Sequence, residues 1–452
     1  TCAMIIFLFV YDELTYDHNH VKRDVLYRLN NGYHLPNNGG FEVYAAGGPI
    51  VGEMLVKDYP EIKQAVRFRK IENKVIQQPG GDERTYETVM AADSNVFKVF
   101  TFPLLAGNPE TALVEPLTVV LTESMARKYF NRTDVLGETL YFPEDTVTVK
   151  ITGVMKDYPA NTHLKFDFML SFESLKTLNY HLNSWWNYSF YTYLELEEGV
   201  NIPALEDKIK FISRKYIADQ EDYSGYKQEY SLTPFGDIHL QSNIRSEMEA
   251  NSKASYVYIF MVIGIFILVI ACINFMNLAT ARSAMRAKEI GLRKVAGAFR
   301  EQLIGQFLSE SVLMAFVAMV LSLGLTYLML PTVNNFSGKH LGLFNNNMAW
   351  IAMVSITILV GLLAGSYPSF FLSAFRPVET LKGNFRTGTK GNILRKSLVV
   401  FQFTISIFLI SGTLIVFQHL KYIRSMDLGF DKERIVTLPT RFANNAQRDY
   451  TT

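Results

Sequence analysis

The sequence predicts a membrane protein: an α-helical transmembrane bundle with a large α+β extracytoplasmic domain. Three observations carry that prediction. Long uncharged apolar runs are confined to the second half of the 452 residues, while the first half has the mixed composition of a water-soluble domain. Four of those runs reach the ~20 residues needed to cross a bilayer. Lysines and arginines crowd into alternate connections between them, which sets an orientation. Bulk composition would hide all of this, because 44 basic residues balance 43 acidic ones. That balance, with no basic stripe carrying interleaved aromatics, gives no indication of nucleic-acid binding.

Taken in order, Thr1 to Val10 is apolar but too short to span. It reads as the outer half of a first transmembrane helix, because a signal peptide would show a charged start and a cleavage site. With Arg434 to Thr452 opening a strand-like segment and stopping, the chain reads as a fragment. Residues 11–253 form the outer domain. Ala65 to Gln77, Arg84 to Ala92, Thr146 to Met155, Tyr188 to Leu196 and Gln228 to Pro234 are expected strands from their β-branched and aromatic content. Thr122 to Phe130, behind a Thr cap, and Ile202 to Ile217 are expected helices. Gly107-Asn108-Pro109 and Phe142-Pro143-Glu144-Asp145 are turn signals. The alternation indicates α+β, with a two-lobed arrangement left open.

Ala254 to Ala281 has no charged residue, and Val262 to Ile273 holds nine Val, Ile, Leu or Phe. At ~1.5 Å per residue that run is about 42 Å long, longer than the ~30 Å hydrocarbon core, so it should project as a stalk. A cytoplasmic segment at 282–306 follows. The next spans are 308–330, ended by Pro331, then 348–371, and after a second cytoplasmic loop at 375–396, Ser397 to Gln418. Arg282, Arg286, Lys288, Arg293, Lys294 and Arg300 occupy the first connection. Arg376, Lys382, Arg386, Lys390, Arg395 and Lys396 occupy the third, and the second has only Lys339. The basic connections therefore lie inside, and the sparse one lies outside with everything before Ala254.

Other candidate sites are weak. Cys2 and Cys272 sit in apolar runs and show no metal or disulfide spacing. Asp12, Glu13, Asp17, His18 and His20 are metal-ligand residue types, but their spacing matches no ligand pattern, and a solvated juxtamembrane segment is the favoured reading. Trp185, Trp186, Tyr188, Tyr191 and Tyr193 could form an aromatic binding face, though packing into the domain's own core or lying near lipid is favoured. No nucleophile–base–acid set can be assembled. Gly383 to Lys390 mimics a phosphate-binding loop, but Thr389 stands where the lysine must be. No metal site and no nucleotide site is expected in this chain.

The segment Arg286-Ala287-Lys288-Glu289-Ile290-Gly291-Leu292-Arg293-Lys294-Val295-Ala296-Gly297-Ala298 resembles the R-x-x-E-I-G-x-R-[RK]-x-x-G-A signature of MacB/FtsX-type ABC transporter permeases. Gly365-Ser366-Tyr367-Pro368-Ser369 and Arg376-Pro377-Val378-Glu379-Thr380-Leu381-Lys382 are similar to that family's closing cytoplasmic element. Val119 to Ala126, Gly137 to Leu140 and Ile151 to Val154 resemble its periplasmic core domain.

The resemblance implies a multi-pass protein of the bacterial inner membrane with its large domain in the periplasm. It implies no enzyme activity in this chain: ATP and Mg would sit on a separate ABC ATPase subunit, docked on the segment after the first full span. ATP-driven dimerisation would move the outer domains, with a periplasmic or outer-membrane partner. Leu292, Val295, Ala296, Phe299 and Leu303 recur at helical spacing there, which suits one docking face. Glycine costs ~1 kcal/mol inside a helix, so Gly291 and Gly297 suggest a bend. Ser397 to Gln418, followed by residues 419–452, is similar to the start of a second unit of this kind. A membrane-anchored sensor is the alternative, against which stands the lack of a large cytoplasmic output domain between the spans. The substrate is not legible.

Overall fold

The computed structural model describes residues 1–36, 39–78, 80–81, 84–343, 347–373 and 389–426. They divide into two units, Thr15–Ala254 on the one hand and Thr1–Leu14 with the chain from Ser255 onward on the other.

In the first unit the strands are β1 (Leu26–His34), β2 (Phe41–Tyr44), β3 (Ile62–Gln77), β4 (Arg84–Ala92), β5 (Leu104–Gly107), β6 (Thr118–Thr122), β7 (Thr139–Phe142), β8 (Val147–Met155), β9 (Phe168–Ser171), β10 (Tyr191–Leu196) and β11 (Lys227–Pro234). They make one sheet in the order β11-β1-β10-β3-β4-β9-β6-β8-β5, with β2 beside β1 and β7 against β3 and β8. Most pairs are antiparallel, but β4 with β9 and β6 with β8 run parallel. The long β3–β4 hairpin shifts register between Ile71 and Lys74, where Asn73 takes a φ of 54°. Successive residues of β4 enter different cores: Val89 and Ala91 join Ile76, Leu121 and Phe168, while Met90 and Ala92 join Phe68, Phe100 and Tyr193. Period-two alternation thus buries this central strand on both faces.

The helices of this unit are short. With α1 (Cys2–Leu14) belonging to the other unit, they are α2 (Val51–Asp58), α3 (Val96–Val99), α4 (Glu123–Phe130), α5 (Ser174–Thr177), α6 (Ile202–Ile209), α7 (Ser213–Ser224) and α8 (Ile238–Gln241). The expected Thr122 cap is present: its side chain accepts from Met125 N at 3.3 Å, and Asn131 closes α4 in the left-handed region. The single helix expected over Ile202–Ile217 is instead two. Lys210 O accepts from Tyr230 N of β11 at 2.9 Å, while Arg214 N turns to Phe211 O. The sheet takes the carbonyl that would have continued the helix. A third core, under α2 and α6, gathers Leu29, Leu55, Leu194 and Leu205.

The second unit holds α1, α9 (Ala254–Val295), α10 (Arg300–Ser337), α11 (Asn347–Ser373) and α12 (Thr389–Ser425). Among the described residues, four segments are long and apolar enough to cross a membrane: Ala254–Ala281, Arg300–Ser337, Met348–Phe370 and Lys396–Ser425. Pro331 does not end its span. It lies inside α10, which continues to Ser337 and closes on Gly338 at a φ of 67°. Membrane-spanning helices accommodate an internal proline because neighbouring helices, hydroxyl side chains and local adjustments of the helix re-satisfy the carbonyl it frees. The last helix likewise exceeds its expected limits at both ends. Between α10 and α11 the contact is made by small residues. A Cβ on Gly361 would lie 2.8 Å from Val312 Cα, and one on Gly365 would lie 2.5 Å from Ser311 Oγ. This is the G-x-x-x-G mode of close helix approach.

The Asp12–His20 segment is not a solvated stretch. In the helical unit, Lys339 Nζ sits 2.6 Å from both Asp12 Oδ2 and Glu13 Oε1 and over the Phe9 ring. In the other unit, Asp17 and His20 are both 1% exposed. Charge-rich composition indicated water contact, and His18 is indeed exposed, but Asp12, Glu13, Asp17 and His20 each have a partner from distant sequence. No group of metal-ligating side chains occurs among the described residues.

Candidate functional site

The conspicuous apolar surface outside the spanning stretches is the hairpin where α9 meets α10. The helix α9 runs unbroken through Gly291 to Val295, so no bend occurs at that glycine. The turn is made by Gly297 at a φ of 97°. Gly297 N donates to Lys294 O at 3.1 Å and Ala298 N to Arg293 O at 3.0 Å, the paired bonds of a Schellman stop with glycine in the left-handed position. The next helix opens with Phe299 N donating to Gln302 Oε1 at 3.0 Å.

Within this hairpin the side chains separate into two sets. Ile290, Leu303 and Phe307 are buried against each other and hold the two helices together. Gly291 is buried too. Leu292, Val295 and Phe299 are 64%, 67% and 73% exposed, and Ala296 and Gly297 are also exposed. Glu289 accepts from Arg293 Nη2 at 2.6 Å, and Arg293 Nη1 donates to Gln306 Oε1 at 2.8 Å. Lys294 Nζ donates to Ser373 O at 2.6 Å, and Arg300 Nε reaches Ser373 Oγ at 3.4 Å, tying the hairpin to the end of α11. Desolvation, then the Arg300 charge, lowers the Lys294 ammonium from its ordinary value. Ala298 is half-buried beside the turn. Arg286 and Lys288 lie earlier on α9, and Pro368 lies inside α11. Arg376, Pro377 and Glu379 lie outside the described residues.

A second constellation lies in the sheet unit. Asp17 accepts from Thr162 Oγ1 at 2.6 Å, from His163 N at 3.0 Å and from His163 Nδ1 at 2.7 Å, and His163 Nε2 is 2.7 Å from Tyr193 Oη. Burial pushes the Asp17 carboxyl up, but the His163 charge and the hydrogen bonds from His163 and Thr162 outweigh it, leaving the group below the usual carboxylate value. Tyr16 stacks on His239 with centroids 3.5 Å apart and donates to Thr162 O, while Ser252 N donates to His239 O. The segment entering this unit and the segment leaving it thus meet on one residue. Asp17, His163 and Tyr193 are all buried, so the set is structural and out of reach of a substrate. Sequence reasoning missed His163 and His239, because their partners Asp17 and Tyr16 lie 146 or more positions away and leave no local pattern. Of the aromatic candidates, Trp185 and Tyr193 are buried, Tyr191 is partly so, and Trp186 and Tyr188 reach the surface.

Comparison with known proteins agrees with these two units. Residues 1–212 match the MacB-like periplasmic core domain and residues 261–377 match the FtsX-like permease C-terminal domain. The macrolide export ATP-binding/permease protein MacB of Bdellovibrio bacteriovorus is 26% identical over 59% of this chain, and the match spans 39% of that protein's length. An uncharacterised ABC transporter permease of Bacillus subtilis, YknZ, is 22% identical over 67% of this chain and 71% of its own. The crystal structure of the periplasmic region of MacB from Actinobacillus actinomycetemcomitans covers 46% of this chain and 90% of that one, at 13% identity and a TM-score of 0.32. Carrying both domains, with four apolar helices of spanning length, the chain belongs to the MacB/FtsX-type ABC transporter permeases.

Proposed function

We propose that this permease converts ATP hydrolysis by a separate ATPase subunit into movement of its periplasmic domain, in the inner membrane of a bacterium. The observation that supports the reading is the α9–α10 hairpin. It exposes Leu292, Val295, Ala296 and Phe299 together, flanked by the Glu289–Arg293 pair, on a turn stiffened by its own backbone bonds. An exposed apolar cluster with a polar rim is the anatomy of a protein docking surface. ATP and Mg would be bound by the docked subunit. Lys294 and Arg300, by gripping Ser373, would pass a push on the hairpin to α11 as well as along α9. Export, lipoprotein release and mechanical control of a periplasmic or outer-membrane partner are all outputs of such a device.

The test is co-purification of the full-length protein with an ATPase subunit from its native membrane. Phe299→Asp, or Glu289→Ala with Arg293→Ala, should release that subunit and lose stimulated ATPase activity. Both variants should keep the wild-type thermal midpoint, since the changed side chains are exposed. Retained binding and stimulation in both variants would sink the assignment.

A further inference from the structure

Away from the hairpin, the sheet unit carries an open depression of about 760 Å3 between α7 and the segment that precedes β10. Four aromatic rings, Trp186, Tyr188, Tyr223 and Tyr226, line it together with Asp219 and Gln220. A folded protein normally turns such rings inward. Here Tyr223 is 94% exposed, and Tyr188 and Tyr226 are 42% and 38% exposed. Two of the rings are also held in place. Tyr188 packs edge-on to Tyr33 with centroids 4.6 Å apart, and Trp186 Nε1 donates to Gln220 Oε1 at 3.2 Å.

The charge at the mouth is one-sided. Of the other ionic groups of α7, Arg214 pairs with Asp222 at 3.4 Å and Lys215 with Asp58 at 2.8 Å, while Glu221 is buried away from solvent and accepts from Gln228 N at 3.2 Å. Asp219 is exposed and makes no hydrogen bond or ion pair among the described residues. Ring faces are negative at their centres, and a carboxylate beside them adds to that field, so the combination favours a cation carried on an apolar body. A neutral apolar ligand would gain from the rings but not from Asp219, and an anion would be repelled.

We propose that this depression binds an organic cation, a protonated or quaternary amine attached to an apolar or aromatic group. The rings flank the ammonium and Asp219 neutralises it. The volume lies within the ~300–1,000 Å3 range of small-molecule sites.

Phenyltrimethylammonium and tert-butylbenzene, its uncharged isostere, separate the electrostatic contribution from simple apolar burial. Each is titrated onto the full chain in lipid nanodiscs and followed by tryptophan fluorescence. The cation should give a saturable change and bind at least tenfold more tightly than the isostere. Asp219→Asn should remove that preference, and Tyr223→Ala should weaken the cation at least tenfold. Both side chains are exposed, so both variants should keep the wild-type thermal midpoint and remain interpretable. Equal affinity for the two probes, no saturable change, or a cation affinity within twofold of wild type in either variant would overturn the proposal.

Discussion

His163 Nδ1 lies 2.7 Å from Asp17 Oδ2, joining two side chains that are 2% and 1% exposed and 146 positions apart. Removing one member of a buried, hydrogen-bonded pair leaves the other without compensation, at a cost of about 3–5 kcal/mol. Asp17→Ala should therefore destabilise the sheet unit by that order, seen as a lower denaturation midpoint. In a double-mutant cycle with His163→Ala, the two losses should fall well short of adding. Additive losses would mean that the pair is not coupled.

His20 predicts an acid sensitivity. Its ring is boxed edge-on by Phe100, Phe102 and Phe235, and Nδ1 accepts from Thr101 N at 3.1 Å. Burial lowers its pKa from 6.5 to about 4, against a smaller opposing pull from Asp17. Between those values the unfolded chain binds a proton that the folded one refuses, so stability rises with pH across this window. Acidification from pH 6.5 to 4 should remove on the order of 3 kcal/mol through this residue. His20→Gln should flatten that part of the stability–pH curve measured by denaturant titration. Asp17 adds in the same direction only at lower pH, because its folded pKa is below the ordinary 3.8.

The seam of α10 with α11 should not tolerate side chains. Forcing extra carbons into a close contact costs about 1–3 kcal/mol, and the atom met at 2.8 Å, the Val312 Cα, is backbone and not the end of a flexible side chain. Gly361→Leu should lower the thermal midpoint in detergent and abolish a disulfide engineered across the two helices. Gly412, whose added Cβ would meet nothing, is the control, and Gly412→Leu should leave both readouts unchanged.

Gly297 should resist substitution for a backbone reason. At a φ of 97° a side chain meets its own carbonyl, a strain of roughly 1–2 kcal/mol. Gly297→Val should loosen the turn, raising amide exchange at Ala298 and weakening ATPase docking together. Unchanged exchange at Ala298 would show that the turn does not depend on the glycine.

Much of the fold was legible because it follows from local pattern. The limits of β4 coincide with the expected Arg84–Ala92, since turn residues bound a run of alternating character. The Thr122 cap was readable for the same reason. Several strands were not readable, including β1, whose Asn30 and Asn31 lie in a poor strand former. Their side chains are buried in the sheet, where Asn30 Nδ2 donates to Thr233 Oγ1 at 2.8 Å, so tertiary pairing overrode propensity. In the hairpin, helical spacing located the apolar residues, but Leu303 faces the same way as Leu292 only on a continuous helix. The turn at Gly297 breaks that continuity, and Leu303 packs inward on Ile290.

The opening inference, a helical membrane bundle with a folded domain outside it, needed only the distribution of apolar and charged residues, because bilayer thickness and loop charge act on sequence directly. Which charged groups are buried could not be read that way. Asp12, Glu13, Asp17 and His20 look solvent-facing along the chain, and each is matched by a residue more than eighty positions away: Lys339, His163 and the Thr101 amide. Burial of a charge is decided by what the fold brings to it, so tertiary structure alone turned that stretch into two anchored clusters. The same holds for the aromatic depression, where Trp186 and Tyr188 meet Tyr223 and Tyr226 only once α7 has packed beside the segment leading into β10.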